Sequence, residues 1–314
     1  MRNFRAILVL RALQKIMQSE GNEGNTSVIH RMPMFHDGAV VHVPCVSANA
    51  LRRRCVREPA GRYLMDAYEL SGTLSPNELR LLICGGGNAT ESGGGDSLKQ
   101  RALCRETLPI LSLCGAGMPS GPKEGVLQMS DAMVVCRETS SYVDSIAGDI
   151  LGDIDTRRSC ATMVGRHTSY RHDPLGKDIG EIDEARMNES VKNKDGSTKE
   201  NTGMIFGGEH LMPGVVMVVE ILARDITDAE LGCLLWSLRL WNSQGGFIGG
   251  KSSHHFGRTE AMLHAPDDVD QQAAIGTYLD LVDAKRVEAI DLMRSFFAKP
   301  VKEKAAKPKA KREL

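Results

Sequence analysis

Apolar residues fall into short continuous runs and one long helical stripe, and the stretches between them are polar. FRAILVL (4–10) and AVVHV (39–43) predict strands, with Pro44 expected to end the second. The polar SEGNEGNTSVIHR between them predicts a loop. Ser47 is a candidate cap for a helix over 48–57, which is expected to stop before Pro59. DAMVVCR (131–137) and GVVMVVEILA (214–223) predict buried strands. Thr227 and Glu230 form a capping box that opens a helix with Leu231, Leu234, Leu235, Leu238 and Trp241 on one face. A short strand near 255–263 and a helix around 267–297 complete the pattern.

Two segments stand apart from this series. Residues 66–122 read as a helical insertion. SPNELRLLIC opens it with a Ser cap and Pro at the first helical position, and GGGNATESGGG is a surface loop before a second helix from Asp96 or Ser97. Residues 138–206 are polar and nearly coreless, so they are expected to be functional or disordered. With both removed, the order is strand, helix, strand, strand, helix, strand. That predicts an α+β chain with a ferredoxin-like (RRM-like) βαββαβ core over 1–298 and a solvated tail over 299–314. Such a core hosts many functions and names none by itself.

Net charge is −1, but it is unevenly spread. Residues 1–62 hold ten Lys/Arg against four Asp/Glu, and 299–314 hold seven against two. Two basic ends on a near-neutral chain point to a polyanion. The N-terminal apolar run is too short for a signal peptide or a membrane span, so a cytoplasmic location without membrane contact is expected. The eight cysteines include no C-x-x-C pair, and reduced core thiols are expected. His30, His36 and His42 are spaced across a loop and a strand, and neither a metal nor another cofactor is expected.

From Gly245 to Ser252 the chain fits G-x-x-x-x-G-K-[ST], the phosphate loop of ATPases. A working phosphate loop leads into a helix, whose N-terminus holds the anion. Here the capped helix comes before the glycines, which argues against an ATPase. The composition suits a grip on several phosphates: Lys251, Ser252, Ser253, His254, His255 and Arg258 stand among glycines that permit close approach to a ligand. The alternative is a plain glycine hairpin. A second basic site, VSANALRRRCVR (46–57), puts Ala48, Leu51 and Cys55 inward, Asn49, Arg53 and Arg57 opposite, and Arg52 and Arg54 on the flanks. Ser47 and Asn49 lie at the helix start, where backbone N–H groups also favour an anion.

These segments together resemble the RAMP superfamily of CRISPR proteins. VPCVSANALRRRCVR is similar to the family's entry into its first helix, GGEHLMPGVVMVVEI to the strand after its thumb insertion, and GGFIGGKSSHHFGRTE to its glycine-rich loop. Within the superfamily the likeness is to the Cas-seven-like guide-RNA-binding backbone subunits of type IV complexes, the Csf family. The resemblance implies a subunit that lines one guide RNA (crRNA) in several side-by-side copies, inside a prokaryotic ribonucleoprotein with other CRISPR subunits and a complementary target. It implies RNA contacts at Ser47, Asn49, Arg52 and the glycine loop, with Arg53, Arg54 and Arg57 as further candidates, and a thumb over 138–206. Arg166 and Arg171 belong to the basic first half of that thumb, Asp178 to Glu189 make its second half acidic, and Met204 and Phe206 at its base are candidates to wedge against a nucleobase or to pack in the core. Relatives that cut RNA place an Asp in the early loop. Here Asn25 stands near that place and cannot act as a general base or metal-binding carboxylate, which implies a subunit that does not cut. The alternative is a ribonuclease using a histidine pair such as His254 and His255.

Overall fold

The computed structural model of the chain describes residues 1–86, 97–118, 121–152, 154–171 and 204–297. Strand β1 (Arg2–Ala12) lies between β12 (Val216–Ile226) and β13 (Thr259–His264), antiparallel to both. Beyond β12 the sheet continues through the short β8 (Leu127–Met129) and β9 (Ala132–Val134) to β5 (Ala39–Val46) and β4 (Arg31–His36). The apolar runs occupy the sheet centre because they tolerate burial on both faces. Phe4, Leu8, Leu10, Met217, Val219 and Ile221 are all buried there. The chain is therefore α+β with a mostly antiparallel sheet.

Several boundaries differ from the sequence reading, each for a local reason. Pro44 does not end β5. It sits opposite Arg31 of β4, and the strand then changes partner, pairing Cys45 and Val46 with β9. The first helix does not stop before Pro59. It runs from α1 (Ala48–Leu51) through a π-helical stretch, Arg52–Arg57, into α2 (Glu58–Ala67). A helical proline clashes with the carbonyl four residues back. The widened turn, in which Glu58 N–H reaches Arg53 O, relieves that contact with an extra residue. Residues 19–31 are not a loop: β2 (Ser19–Glu23) and β3 (Thr26–Ile29) form a hairpin around Gly24 and Asn25, with Gly24 at a φ of 60°. The expected single helix near 267–297 is two, α8 (Gln271–Ala284) and α9 (Arg286–Ser295), broken at Lys285.

The polar stretch from 138 is more ordered than its composition suggested. Helix α6 (Ser140–Leu151) buries Val143, Ala147 and Leu151, and β10 (Val164–Arg171) pairs with β11 (Met204–Leu211). Spacing of buried residues at four along α6 is a helical signal diluted by the serines, glycine and aspartates between them. Strand β11 also runs parallel to β3, which joins the two hairpins into a second sheet.

In the 66–122 segment, α3 (Pro76–Cys84) carries the expected Ser75–Glu78 capping box. Helices α4 (Ser97–Thr107) and α5 (Pro109–Cys114) follow, and Leu81, Leu82, Ile110, Leu111 and Leu113 join the same apolar cluster as β1 and β12. Helix α7 (Asp228–Ser243) buries all five residues of its predicted stripe. Among the described residues, no helix is long and apolar enough to cross a membrane.

Candidate nucleic-acid interface

The Ser47 cap is real: its hydroxyl accepts from Ala50 N–H at 3.4 Å, and Asp131 Oδ1 accepts from Ala48 N–H at 2.7 Å. Ser47 is also gripped by Gln18, whose amide donates to Ser47 Oγ at 2.6 Å and accepts from Ser47 N–H at 2.7 Å. From this fixed start the π turn fans out three consecutive arginines. Arg52 is half-buried, and its Nε is buried with no hydrogen-bond partner. Arg53 is exposed, while Arg54 pairs with Glu58 at 3.1 Å. Arg57 corrects the sequence reading. It is 6% exposed rather than outward, and its guanidinium donates to the carbonyls of Leu81 and Gly115. The extra residue of the π turn rotates it inward, beside Cys55 and Val56.

Beside this helix lies a cleft of about 440 Å³, walled by Asn49, Arg52, Arg53 and Arg57 on one side and by Lys123 and the backbone of Gly115–Gly117 on the other. Among the described residues, no carboxylate lines it. The far wall, a hairpin of β6 (Ala116–Met118) and β7 (Gly121–Lys123), reaches the helix only because Gly86 is glycine: a Cβ there would lie 2.0 Å from Gly117 O. Lys123 was not singled out in the sequence, where it is one lysine in a short polar turn. Its partnership with the arginines exists only in three dimensions.

The glycine-rich loop follows α7 and forms no phosphate loop. Only a single 3₁₀ turn, Ser252–His254, comes after the glycines, flanked by Lys251 and His255 with φ of 57° and 60°. Two of its glycines allow close approach within the chain: a Cβ on Gly249 would lie 2.5 Å from Met17 O, and one on Gly257 2.1 Å from Ile248 O. Gly250 N–H donates to Met17 O and Gly257 N–H to Lys15 O, each at 2.7 Å. Lys251, Ser252, Ser253, His254, His255 and Arg258 are left exposed around this anchored backbone.

Residues 15–18 thus join the two sites. Gln18 holds the start of the arginine helix, and Met17 and Lys15 hold the glycine loop. On the other flank, Arg54, Glu58 and Arg62 share a small pocket with Trp241 and Phe247 at the beginning of that loop. Two basic segments two hundred residues apart in sequence are neighbours.

The β10–β11 hairpin adds a third element. His167 Nε2 lies 3.3 Å from Lys251 Nζ, and its Nδ1 lies 3.4 Å from Nδ1 of His210. Phe256 packs edge-on to His167, with Lys15 over the Phe256 ring at 5.7 Å. Burial, then the charges of Lys251 and Lys15, hold His167 below the usual histidine value; burial and Lys15 do the same to His210. A lowered histidine favours the fold above its unfolded value of about 6.5, and that contribution is lost as pH falls through the folded value. Acidification from pH 7.5 to 5 should therefore loosen the hairpin root, read as faster amide exchange at Gly208 to His210 after correction for intrinsic rates. Unchanged protection would show that the imidazoles are freely hydrated. Arg166 is exposed and pairs with Glu209 at 3.3 Å, and Arg31 holds the same carboxylate at 2.7 Å. The backbone sets Arg171 opposite Met204 and Ser169 opposite Phe206. The side chains of Arg171, Met204 and Phe206, the acidic stretch from Asp178 to Glu189 and the 299–314 tail lie outside the described residues.

The fold is α+β, and residues 15–18 tie the start of the arginine helix to the backbone of the glycine loop. No protein-family model matches the chain, and no curated protein matches it. Among solved structures it is similar to a chain of a type IV-B CRISPR complex, with 12% identity, 84% of this chain and 92% of that chain covered, and a TM-score of 0.49. It is also similar to Csc2 of Thermofilum pendens, with 14% identity, 92% and 76% covered, and a TM-score of 0.38.

Proposed function

We propose that this chain is a non-catalytic backbone subunit that binds guide RNA in several side-by-side copies within a CRISPR ribonucleoprotein. The observation that carries the reading is the junction at residues 15–18, which ties the start of the Ser47 helix and the backbone of the Lys251 loop to one short segment. A single strand crossing it meets Arg52, Arg53 and Lys123 in the cleft, then the exposed hydroxyls and cations of the glycine loop. Contacts of this kind grip phosphates and read no sequence, as a guide of variable sequence requires. A ferredoxin-like core is supported by the strand order β13-β1-β12-β9 with every neighbour antiparallel, and by helices entering after β5 and β12. The RAMP resemblance in the sequence supplies the CRISPR context and the copies.

Replacing Arg52 and Arg53 with Ala should weaken binding to RNA of any sequence and lower the slope of log K against log salt by about one unit per lost phosphate contact. An unchanged slope would make them solvated surface charges. Lys251→Ala should also impair RNA binding, and ATP should bind neither the variant nor the parent protein; magnesium-dependent ATP affinity in the parent would restore the phosphate-loop reading. Bound RNA should emerge intact, since Asn25, at the turn between β2 and β3, stands near the place where cutting relatives have an acid and has no carboxylate to act as general base or metal ligand. Regular magnesium-dependent cuts would instead favour a ribonuclease.

A further inference from the structure

Behind the arginine helix, three potential metal ligands from separate parts of the chain converge. One donor atom each from His30, Cys45 and Asp131 lies within 4.8 Å of the other two. His30 follows β3, Cys45 is fully buried in β5, and Asp131 precedes β9. The sequence groups His30 with His36 and His42; the fold sets it beside a thiol and a carboxylate. Glu20 Oε2 lies 3.5 Å from Nδ1 of His30, the kind of carboxylate partner that orients a metal-bound imidazole. Arg31 N–H donates to Glu20, Ala48 N–H to Asp131 Oδ1 and Met32 N–H to the Cys45 sulfur, so backbone holds Glu20, Asp131 and Cys45, and Glu20 in turn faces His30.

We propose that His30, Cys45 and Asp131, with Glu20 orienting the histidine, bind a borderline divalent transition ion of the zinc type. One nitrogen, one sulfur and one oxygen suit such an ion, and the half-exposed His30 and Asp131 leave a fourth position to water. On binding, a metal–sulfur bond replaces the S–H bond and the thiol proton passes to solvent. The ion would pin the β2–β4 region to the start of the arginine helix, through Asp131 on Ala48 and Gln18 on Ser47. A second cluster, Cys136, Glu138 and Cys160, needs no ion, because Ser159, Cys160 N–H and Arg137 already occupy its carboxylate.

The test is independent of RNA. The full chain, stripped with chelator and titrated with Co²⁺, should give tetrahedral d–d bands and a thiolate-to-cobalt charge-transfer band at one equivalent, with release of a proton. Cys45→Ser should abolish the charge-transfer band. Glu20→Gln, at an exposed position where folding is safe, should weaken affinity about tenfold or more. Cys160→Ser should change neither. Absence of the bands in the parent chain, a charge-transfer band that survives Cys45→Ser or disappears with Cys160→Ser, or equal affinity in Glu20→Gln would each overturn the site.

Discussion

RNA of increasing length should be bound in steps, with affinity rising roughly 10²-fold or more once two copies fit side by side. A single copy neutralises few phosphates: its helix offers Arg52 and Arg53, its cleft Lys123, and its loop Lys251 and Arg258. Few contacts mean weak binding at physiological salt, and a steep loss as salt rises. Neighbouring copies on one strand convert each further binding event into a local one, so weak sites sum to a strong cooperative array. Particles in electron micrographs should lengthen in proportion to the RNA. Binding of one copy at every RNA length would remove the array from the account and leave only a basic face.

Glu230→Ala should be the most destabilising single change outside the apolar core, at about 3–5 kcal/mol. Glu230 is fully buried and ionised. Burial opposes its charge, but Arg105 through Nε and Nη2, each at 3.0 Å, the Ser112 hydroxyl at 2.6 Å and Thr227 N–H at 2.9 Å hold its carboxyl below the usual value. Removing it takes the carboxylate partner from Arg105, leaves the Thr227 N–H without its acceptor and breaks the cap of α7 at the same time. Because the folded value is lowered, the contribution is present above the unfolded carboxylate value of about 4.3 and lost as pH falls through the folded one. Urea titration at pH 7 should show the full loss, and the gap between Glu230→Ala and the parent chain should narrow toward pH 3. A loss of under 1 kcal/mol at pH 7 would mean that the carboxylate is dispensable.

Glu230 also marks how far the sequence could be read. Thr227 and Glu230 are three residues apart, so their capping box was legible, as was the leucine stripe of α7. Arg105 and Ser112, more than a hundred residues away, carried no signal that they would share the same carboxylate. The basic segments were legible because charge is local, but Arg57 was misassigned because α-helical spacing fails across a π turn. The strands β2 and β3 were hidden by glycine, asparagine and serine, whose weak strand preference is overridden by pairing with each other and with β11. The loop glycines announced close approach correctly, yet not that the approaching group would be the chain's own Met17 and Ile248.

The central claim is that the helix at 47–57 and the loop at 249–258 hold the same strand. Photocrosslinking of the full chain to a short single-stranded RNA, followed by peptide mapping, tests it directly. The account predicts crosslinked peptides from both segments, with Lys123 as a third, and loss of both sets when Arg52, Arg53 and Lys251 are replaced together by Ala. Crosslinks confined to the basic tail beyond residue 298, unaffected by that triple replacement, would contradict it.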